Sequence, residues 1–410
     1  MASSRTAPRA VAALILALVA AAATASGPSL AQRPSRAPVT IPFELAIRHV
    51  IVKARVNDSR PLSFALDTGA GPALVTLKTA TELGLSLYGS VNSGGAGPGT
   101  QTGQRVKDAT WSLVGLDGFS QPLTLALPMV FLSSALGRDA DGIIGGEFIR
   151  QFVLELDYQA RSIVLHDRNT FGYDGKGETL PLEFTPSGHP IVKATVTPIG
   201  GQPIEQRFML DIGSGLALAL HSPFVAEHDL PGGQLTTIRA IGMAGAGGTS
   251  VGRLGRVAAL QIGSFRIEDP ITLFSQDKAG AFANASLAGN IGAEIASRFR
   301  MILDYGRNRV ILEPSPAFSE PFDRAVSGIA VRAEGSDYHT FRVREVLEDS
   351  PATEAGIAVD DVITSIDGIA ADRFTLTALN ELLEKPVTRE LTIRRGDQVL
   401  KIALTPRRLI

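Results

Sequence analysis

The 410-residue sequence contains no cysteine and carries almost no net charge. The absence of cysteine excludes disulfide bonds, thiolate metal sites, a cysteine nucleophile and a lipoprotein anchor. With 39 Lys and Arg against 41 Asp and Glu, the chain has no broad basic field that would attract nucleic acid or an anionic membrane surface. We therefore expect no nucleic-acid partner.

Only one pronounced apolar run is present, and it lies near the N terminus. It extends from Ala10 to Ala23 behind two arginines, and small residues follow it. This order is typical of a secretory signal peptide, and we expect cleavage after Ala31 or Ala25, which gives a signal segment of residues 1–31. The run is shorter than the roughly 20 apolar residues that span a bilayer. The expected location is periplasmic or secreted, with no stable membrane span after cleavage; an uncleaved N-terminal membrane anchor is the alternative.

Glycine and proline are abundant, with 42 and 24 residues, and many short Val, Ile and Leu runs lie between them. This composition is typical of strands separated by turns. The length of the chain leaves room for two or three domains with sizeable cores. The sequence therefore predicts a mainly β protein.

A repeat organises the first three quarters of the chain. Four blocks recur in the same order, which is hard to produce by chance; the alternative is a coincidental likeness of two generic β segments. The matched blocks are residues 51–56 with 191–196, 66–71 with 210–215, 144–145 with 291–292, and 157–158 with 304–305. The repeat predicts two homologous halves, residues 41–168 and 179–314, that face each other across a pseudo-twofold axis.

Each half ends one predicted strand with Asp-x-Gly, at Asp67 and at Asp211. The glycines Gly69 and Gly213 permit positive φ angles and the close approach of another chain. If the axis runs between the two loops, the carboxylates meet. Adjacent carboxylates cannot both ionise cheaply, so the pair holds one proton and supplies an acid and a base. Such a pair hydrolyses an amide with an activated water and needs no metal or other cofactor.

At these motifs the sequence resembles the pepsin and retropepsin clan of aspartic peptidases. Residues 67–70, Asp-Thr-Gly-Ala, match the retropepsin form of the catalytic motif. Residues 143–145, Ile-Ile-Gly, match the segment that threads below the catalytic loop in the clan, and residues 290–292, Asn-Ile-Gly, match it less well. The resemblance implies catalysis by Asp67 and Asp211 within one chain. The implied active-site loops consist of Thr68, Gly69, Ala70, Ile212, Gly213 and Ser214.

One position departs from the clan pattern. Clan members carry Thr or Ser after each catalytic aspartate, and these hydroxyls bond across the axis. Thr68 fits this pattern, whereas Ile212 has no hydroxyl. The alternative function is therefore a catalytically inactive, retropepsin-like peptide-binding or scaffold protein.

Glycine-rich segments follow each aspartate where clan members carry a β-hairpin flap over the substrate. They are residues 94–99 and 242–248. Either could be a flap, and a loop tip without this role is the alternative.

Prolines at 314, 316 and 321 mark a linker, after which the pattern changes. The segments Ser-Pro-Ala at 350–352, Asp-Val-Ile at 361–363 and Asp-Gly at 367–368 resemble a bacterial-type PDZ domain over residues 326–406. Asp360 stands where the family has Gly. The resemblance implies a groove that binds a peptide by its free C terminus. The implied groove residues are Gly328, Ile329, Ala330 and Val331 on one side and Leu379 and Leu383 on the other.

The two groove leucines have an alternative role, because a helix in this place also turns apolar residues into the core. Other chemistries lack support, since the six histidines show no zinc-binding spacing and the chain has no Gly-x-Ser-x-Gly motif. His49 and His189 occupy matched repeat positions, where we favour a structural or surface role.

Together these features predict a pseudo-symmetric pair of aspartic peptidase β-barrels followed by a small α+β PDZ-like domain. The expected activity is an exported aspartic endopeptidase that acts on peptide or protein substrates.

Overall fold

The computed structural model describes residues 37–232, 236–240, 244–322 and 325–410. The predicted signal segment, residues 1–31, lies outside this part of the chain. Within the described part, no helix is long and apolar enough to cross a membrane.

Short strands and very short helices make up the first half, as its apolar runs between turn residues predict. The strands are β1 (Val39–Pro42), β2 (Glu44–Ala46), β3 (His49–Val56), β4 (Leu62–Leu66), β5 (Ala73–Thr76), β6 (Leu87–Gly94), β7 (Thr100–Val106), β8 (Trp111–Leu113), β9 (Leu116–Phe119), β10 (Thr124–Leu127), β11 (Gly142–Ile144), β12 (Val153–Asp157) and β13 (Ser162–His166). The helices are α1 (Leu77–Glu82), α2 (Phe131–Leu136) and α3 (Gly146–Ile149).

The second half repeats this plan. Its strands are β14 (Glu178–Pro181), β15 (Glu183–Phe184), β16 (Pro190–Thr197), β17 (Ile204–Asp211), β18 (Leu218–Leu220), β19 (Ile238–Arg239), β20 (Ala244–Gly245), β21 (Gly248–Thr249), β22 (Gly252–Arg256), β23 (Ala259–Ile262), β24 (Phe265–Glu268), β25 (Ile271–Ser275), β26 (Gly289–Gly292), β27 (Phe299–Asp304) and β28 (Arg309–Pro314). Its helices are α4 (Ser222–Glu227), α5 (Ala293–Ala296) and the 3-10 turns Ala281–Ala283, Tyr305–Arg307 and Pro316–Ser319.

The two halves share one topology, strand for strand. The first sheet runs β6-β7-β10-β5-β11-β4-β3-β8-β9, with β2 beside β3. The second runs β19-β22-β25-β18-β26-β17-β16-β23-β24, with β15 beside β16. The repeat in the sequence is therefore a repeat in the structure, which places residues of matched blocks at equivalent positions.

A six-stranded sheet joins the halves in the order β1-β13-β12-β27-β28-β14. At its centre β12 pairs antiparallel with β27, and Glu155 lies opposite Ile302, its repeat counterpart at the offset of 147 residues. Leu156 faces Met301 and Leu154 faces Leu303 in the same register. The pseudo-twofold axis therefore passes between these two strands, and apolar side chains of both halves form one continuous core.

The C-terminal segment forms its own sheet and core. Its strands are β29 (Ile329–Glu334), β30 (Thr340–Val346), β31 (Val362–Ile366), β32 (Ile369–Ala370), β33 (Arg389–Arg395) and β34 (Gln398–Leu404), and its helices are α6 (Pro351–Glu354), α7 (Leu376–Leu383) and the 3-10 turn Ala371–Arg373. Strand β29 lies at the edge of the sheet. Asp360 adopts φ 71°, so the turn keeps a left-handed residue although glycine is absent. The predicted fold class, mainly β with a small α+β domain at the C terminus, is confirmed.

Candidate active site

Two buried strands deliver the two aspartates to the centre of the molecule. Strand β4 is buried along its whole length and ends immediately before Asp67, whose backbone N–H donates to the carbonyl of Ile144 at 3.0 Å. Strand β17 ends at Asp211, which pairs with Gly292 of β26. Each aspartate is thus fixed between the end of its own strand and the strand that threads below it.

The carboxylates meet across the axis, and each one lies against a glycine of the other half. Gly69 donates its N–H to Asp67 Oδ1 at 2.7 Å, and Gly213 donates to Asp211 Oδ1 at 3.1 Å. A Cβ atom on Gly69 would lie 2.7 Å from Asp211 Oδ1, and one on Gly213 would overlap the carboxyl group of Asp67. Close approach, rather than a positive φ angle, therefore requires glycine here, since neither residue has positive φ.

The protein around the pair disfavours two negative charges. Burial raises the pKa of Asp67. The charge of Asp211 and the hydrogen bond between the two carboxyl groups raise the pKa of Asp67 further. Burial also raises the pKa of Asp211, but hydrogen bonds from Asn290, Gly213 and Asp67 act in the opposite direction. The pair therefore retains a proton well above the usual range of a carboxyl group, and the surroundings favour Asp67 as the residue that carries it.

Thr68 makes the cross-axis contact that its motif predicts. Its hydroxyl donates to the carbonyl of Leu210 at 2.6 Å and accepts the N–H of Ile212 at 3.0 Å. Ile212 is fully buried in the shared core, and its side chain has no hydroxyl to make the symmetric bond. One half of the usual cross-axis pair is therefore present, and a buried apolar contact replaces the other half.

The other loop residues lie close to the pair. Ala70 accepts the N–H of Gly146 at 2.8 Å through its carbonyl, and Ser214 accepts the N–H of Ala293 at 2.7 Å. These matched bonds tie each Asp-x-Gly loop to the short helix of its own half. A Cβ atom on Gly145 would lie 2.6 Å from the carbonyl oxygen of Ala70, so the Ile-Ile-Gly segment requires glycine at its end.

His49 and His189 lie near the Asp-x-Gly loops, and both interact electrostatically with Asp211. His49 Nδ1 faces the carbonyl of Ala46 at 3.2 Å, and its ring lies against Gly215 of the other half. Burial lowers the pKa of His49 and of His189. Both rings are therefore disposed to remain neutral.

A polar contact to Asp211 was not expected from the sequence. The side-chain N–H of Asn290 donates to Asp211 Oδ2 at 2.8 Å, and the Asn290 oxygen faces His221 Nε2 at 2.8 Å. The sequence carried one signal of this contact, because Asn290 is the polar residue in a segment whose counterpart, residues 143–145, is Ile-Ile-Gly.

The two glycine-rich segments meet at their tips. Strands β6 and β7 form a hairpin that turns at residues 95–99, and β20 and β21 form a short hairpin around residues 246–247. Gly99 N–H donates to the carbonyl of Gly247 at 2.7 Å, and Gly247 N–H donates to the carbonyl of Ala96 at 2.8 Å. Both segments are therefore hairpins whose tips are linked by backbone hydrogen bonds; residues 242–243 lie outside the described part of the chain.

The predicted peptide-binding residues occupy two different environments. Gly328 has φ 90°, and a Cβ atom there would overlap the Ser350 hydroxyl. Ile329, Ala330 and Val331 lie on the edge strand β29 and are half-buried. Leu379 and Leu383 of α7 are buried in the core of this domain, which is the packing that the alternative interpretation describes. A peptide contact for these six residues stays a prediction.

The first half covers part of the C-terminal domain, and both belong to the same compact unit. Ile47 packs on the core of the C-terminal domain, and its N–H donates to Thr377 Oγ1 on α7 at 3.1 Å. Arg48 forms an ion pair with Glu384 at 2.7 Å. Helix α2 packs against β29. The side of the domain between β29 and α7 therefore faces the first half.

Comparisons with known proteins identify two matched segments. Residues 52–148 match a family model described as aspartyl protease, and residues 342–395 match one described as PDZ domain. The serine protease HTRA1 of Xenopus laevis is 37% identical over 65 residues, which cover 16% of this chain and 14% of that protein. Because the match spans so little of that relative, its activity is not carried over.

Three solved structures are similar to parts of this chain. Basic 7S globulin from soybean is 13% identical, with a TM-score of 0.42 and coverage of 68% of this chain and 95% of that chain. An aspartic proteinase from Irpex lacteus is also 13% identical, with a TM-score of 0.42 and coverage of 69% and 99%. The HtrA3 PDZ domain bound to a phage-derived ligand is 24% identical, with a TM-score of 0.19 and coverage of 20% and 85%. Likenesses of this size do not assign an activity.

Proposed function

We propose that this chain, which combines a retropepsin-like aspartyl protease with a C-terminal PDZ domain, is an exported endopeptidase that uses Asp67 and Asp211 to activate a water molecule. The observation that carries this proposal is the reciprocal packing of each carboxylate against the catalytic glycine of the other half. The Thr68 bond across the axis supports it, because it stiffens the two loops that hold the pair.

The proposed reaction needs no covalent intermediate. The ionised carboxylate takes a proton from the water as the water oxygen bonds to the scissile carbonyl carbon, while the protonated carboxyl group gives its proton to the carbonyl oxygen. The carbon–nitrogen bond then breaks as the leaving nitrogen takes the first proton. The second proton returns from the hydroxyl to its carboxylate, so the pair ends in its starting state.

The linked hairpins suit a closed form of the substrate cleft. Two backbone hydrogen bonds link their tips, between residues 96–99 and residue 247, and such hairpins open on the microsecond to millisecond timescale in many enzymes. We propose that an extended peptide enters when these bonds separate. Export rests on the apolar run at residues 10–23, and the proposed location is the periplasm or the exterior of the cell.

The rival function is peptide binding without turnover, for which Ile212 is the supporting residue. The test is incubation of the purified protein, without residues 1–31, with a diverse peptide library and with cell-envelope extract, followed by mass spectrometry of new termini. Defined internal cleavage sites are expected. Binding of peptides with no new termini in either mixture would favour the rival.

We also propose that the PDZ domain regulates the protease by binding peptide C termini. Strand β29 is an edge strand, which suits the addition of a peptide strand. The first half competes for this side of the domain, because Ile47 and Arg48 contact α7. The same loop reaches the second catalytic loop, since the carbonyl of Ile47 lies 3.3 Å from the Cβ position of Gly215. A peptide that displaces Ile47 would therefore also change the packing of the loop that carries Asp211.

Loss of the contacts at Ile47 and Arg48 is expected to strengthen peptide binding. The double substitution Ile47→Ala and Arg48→Ala removes an apolar contact and the ion pair to Glu384. The apparent affinity of a groove that is covered by its own chain is reduced to the fraction of molecules in which the groove is uncovered. We therefore expect the double variant to bind peptides with a free C terminus about tenfold more tightly. Fluorescence anisotropy with a C-terminal peptide library measures this change.

The matched control is Arg373→Ala, which removes an exposed arginine of the same domain that lies 4.0 Å from Asp372. This variant should bind peptides as the unmodified protein does. Equal affinities for the double variant and the unmodified protein would contradict a groove covered by the first half.

A further inference from the structure

A chain of buried polar groups reaches Asp211 from inside the second half. Asn290 Nδ2 donates to Asp211 Oδ2 at 2.8 Å. Asn290 Oδ1 faces His221 Nε2 at 2.8 Å, and His221 Nδ1 faces the carbonyl of Asn284 at 3.0 Å. His221 is 1% exposed and Asn290 is 4% exposed. Buried polar groups are costly unless paired, so this chain of contacts constrains every member.

The first half has no such chain. Ile143 pairs with Ala65 in the same register in which Asn290 pairs with Met209, and Ile143 stands 147 residues before Asn290. An isoleucine has no group that can donate a hydrogen bond. The two carboxylates therefore differ in their surroundings although the backbone around them is symmetric.

We propose that Asn290 and His221 are positioning residues that hold Asp211 as the ionised, water-activating member of the pair, so that Asp67 carries the shared proton. This inference rests on the proposed function, since it assigns the two roles in the proposed reaction. Asn290 touches Asp211 directly, whereas His221 acts through Asn290.

The hydrogen-bond donors and acceptors along this chain of contacts support the assignment of the ionised state to Asp211. When the Asn290 amide donates to a carboxylate, its oxygen is left as an acceptor and requires a hydrogen on His221 Nε2. His221 Nδ1 also faces a carbonyl oxygen. Both contacts are satisfied only when the imidazole carries two hydrogens and a positive charge. That charge compensates the carboxylate of Asp211 across one amide group.

Burial lowers the pKa of His221, while the carbonyl of Asn284, the contact with Asn290 and the charge of Asp211 raise it. The net shift is downward, so the doubly protonated form of His221 requires a more acidic solution than that of an exposed imidazole. Other titratable groups that act electrostatically on the pair are His49, His189 and Tyr305.

The test is the pH profile of kcat/KM for Asn290→Ile, which installs the residue type of the first half. The acidic limb of the profile reports the lower macroscopic pKa of the pair. Loss of the amide donor destabilises the Asp211 carboxylate, so we expect the acidic limb to move to higher pH by about one unit, a tenfold loss of kcat/KM at the acid end. His221→Gln should move the limb in the same direction by a smaller amount.

The matched control is His228→Gln. His228 lies at the other end of α4 and contacts Phe224 with ring centroids 4.5 Å apart, so its replacement should leave the profile in place. Carboxyl carbon NMR of protein labelled at aspartate gives a readout that does not depend on turnover, since the titration of Asp211 should move upward in Asn290→Ile even if this variant cleaves poorly.

The outcomes separate this inference from the proposed function. If the unmodified protein cleaves peptides, but Asn290→Ile leaves the acidic limb and the Asp211 titration unchanged, the role proposed for Asn290 and His221 is overturned and the proposed protease function is not. If the unmodified protein never cleaves, the proposed function is overturned, while an upward shift of the Asp211 titration in Asn290→Ile would still support the role of Asn290.

Discussion

Asp67→Asn and Asp211→Asn are each expected to reduce kcat/KM for peptide cleavage by about a thousandfold or more. An amide cannot take a proton from water, and it cannot share one proton with the remaining carboxylate, so either change removes the acid and base pair. Both side chains are held by a glycine N–H of their own loop, and asparagine keeps that acceptor. Kinetic assays on the best substrate from the peptide library measure the loss.

The same two variants should be more stable than the unmodified protein at neutral pH. Burial and the neighbouring charge raise the folded-state pKa of Asp67, and burial raises that of Asp211. A group with a raised folded-state pKa contributes stability below its unfolded pKa, and this contribution is lost as the pH rises through the folded value. Asparagine abolishes that loss, so the melting temperature should rise at neutral pH and change little near pH 3.

Asp141→Asn is the matched control, because Asp141 is a buried carboxylate outside the pair. It accepts the N–H of Ser63 at 2.8 Å and the hydroxyl of Thr79 at 3.0 Å. Replacing it should lower stability, since an amide cannot accept all of these bonds. Undiminished cleavage by Asp67→Asn or by Asp211→Asn, or a lower melting temperature for both variants, would contradict the proposed pair.

The repeated features of the chain are those that the sequence predicted well. The two Asp-x-Gly blocks predicted that Asp67 and Asp211 face each other, because a repeated sequence folds to a repeated structure. A pseudo-twofold axis between the two halves then places equivalent residues opposite each other. The structure brings them together. The glycine-rich segments predicted hairpins by the same comparison, and β6 and β7 form one.

Features that break the repeat were harder to predict. Asn290 occurs in a block that otherwise matches, so the comparison of halves treated it as a weak match, and only the structure shows its contact with Asp211. The glycine requirement at Gly213 also had two physical explanations in the sequence, a positive φ angle or close approach. The fold distinguishes them, because the approaching atoms belong to Asp67, which is far from Gly213 in the chain.

Contacts between domains left no signal in the sequence. Ile47 lies on a short turn between β2 and β3, a place where an apolar residue has no predictable partner, yet it packs on the core of the PDZ domain. Its distance in sequence from Thr377, whose hydroxyl accepts its N–H, is larger than any local pattern covers. Periodicity specifies which face of an element is apolar, and it does not specify which domain covers that face.

Gly213→Ala is expected to cause a large loss of stability. The added Cβ atom would overlap the carboxyl group of Asp67, so the two loops must separate. Overpacking of this kind lowers the free energy of unfolding by about 3 kcal/mol. The separation also moves the two carboxyl groups too far apart to share a proton. We expect loss of cleavage together with a lower midpoint in urea denaturation.

Gly172→Ala is the matched control, because Gly172 has no heavy atom within 4 Å of its Cβ position and no positive φ angle. Its replacement should leave cleavage unchanged and alter stability by only a few tenths of a kcal/mol, about the size expected from the unfolded chain alone. If Gly213→Ala behaved like this control, the carboxyl group of Asp67 could not lie against the loop of the second half. The two aspartates would then be too far apart to share a proton, and the chain would have to act by binding rather than by hydrolysis.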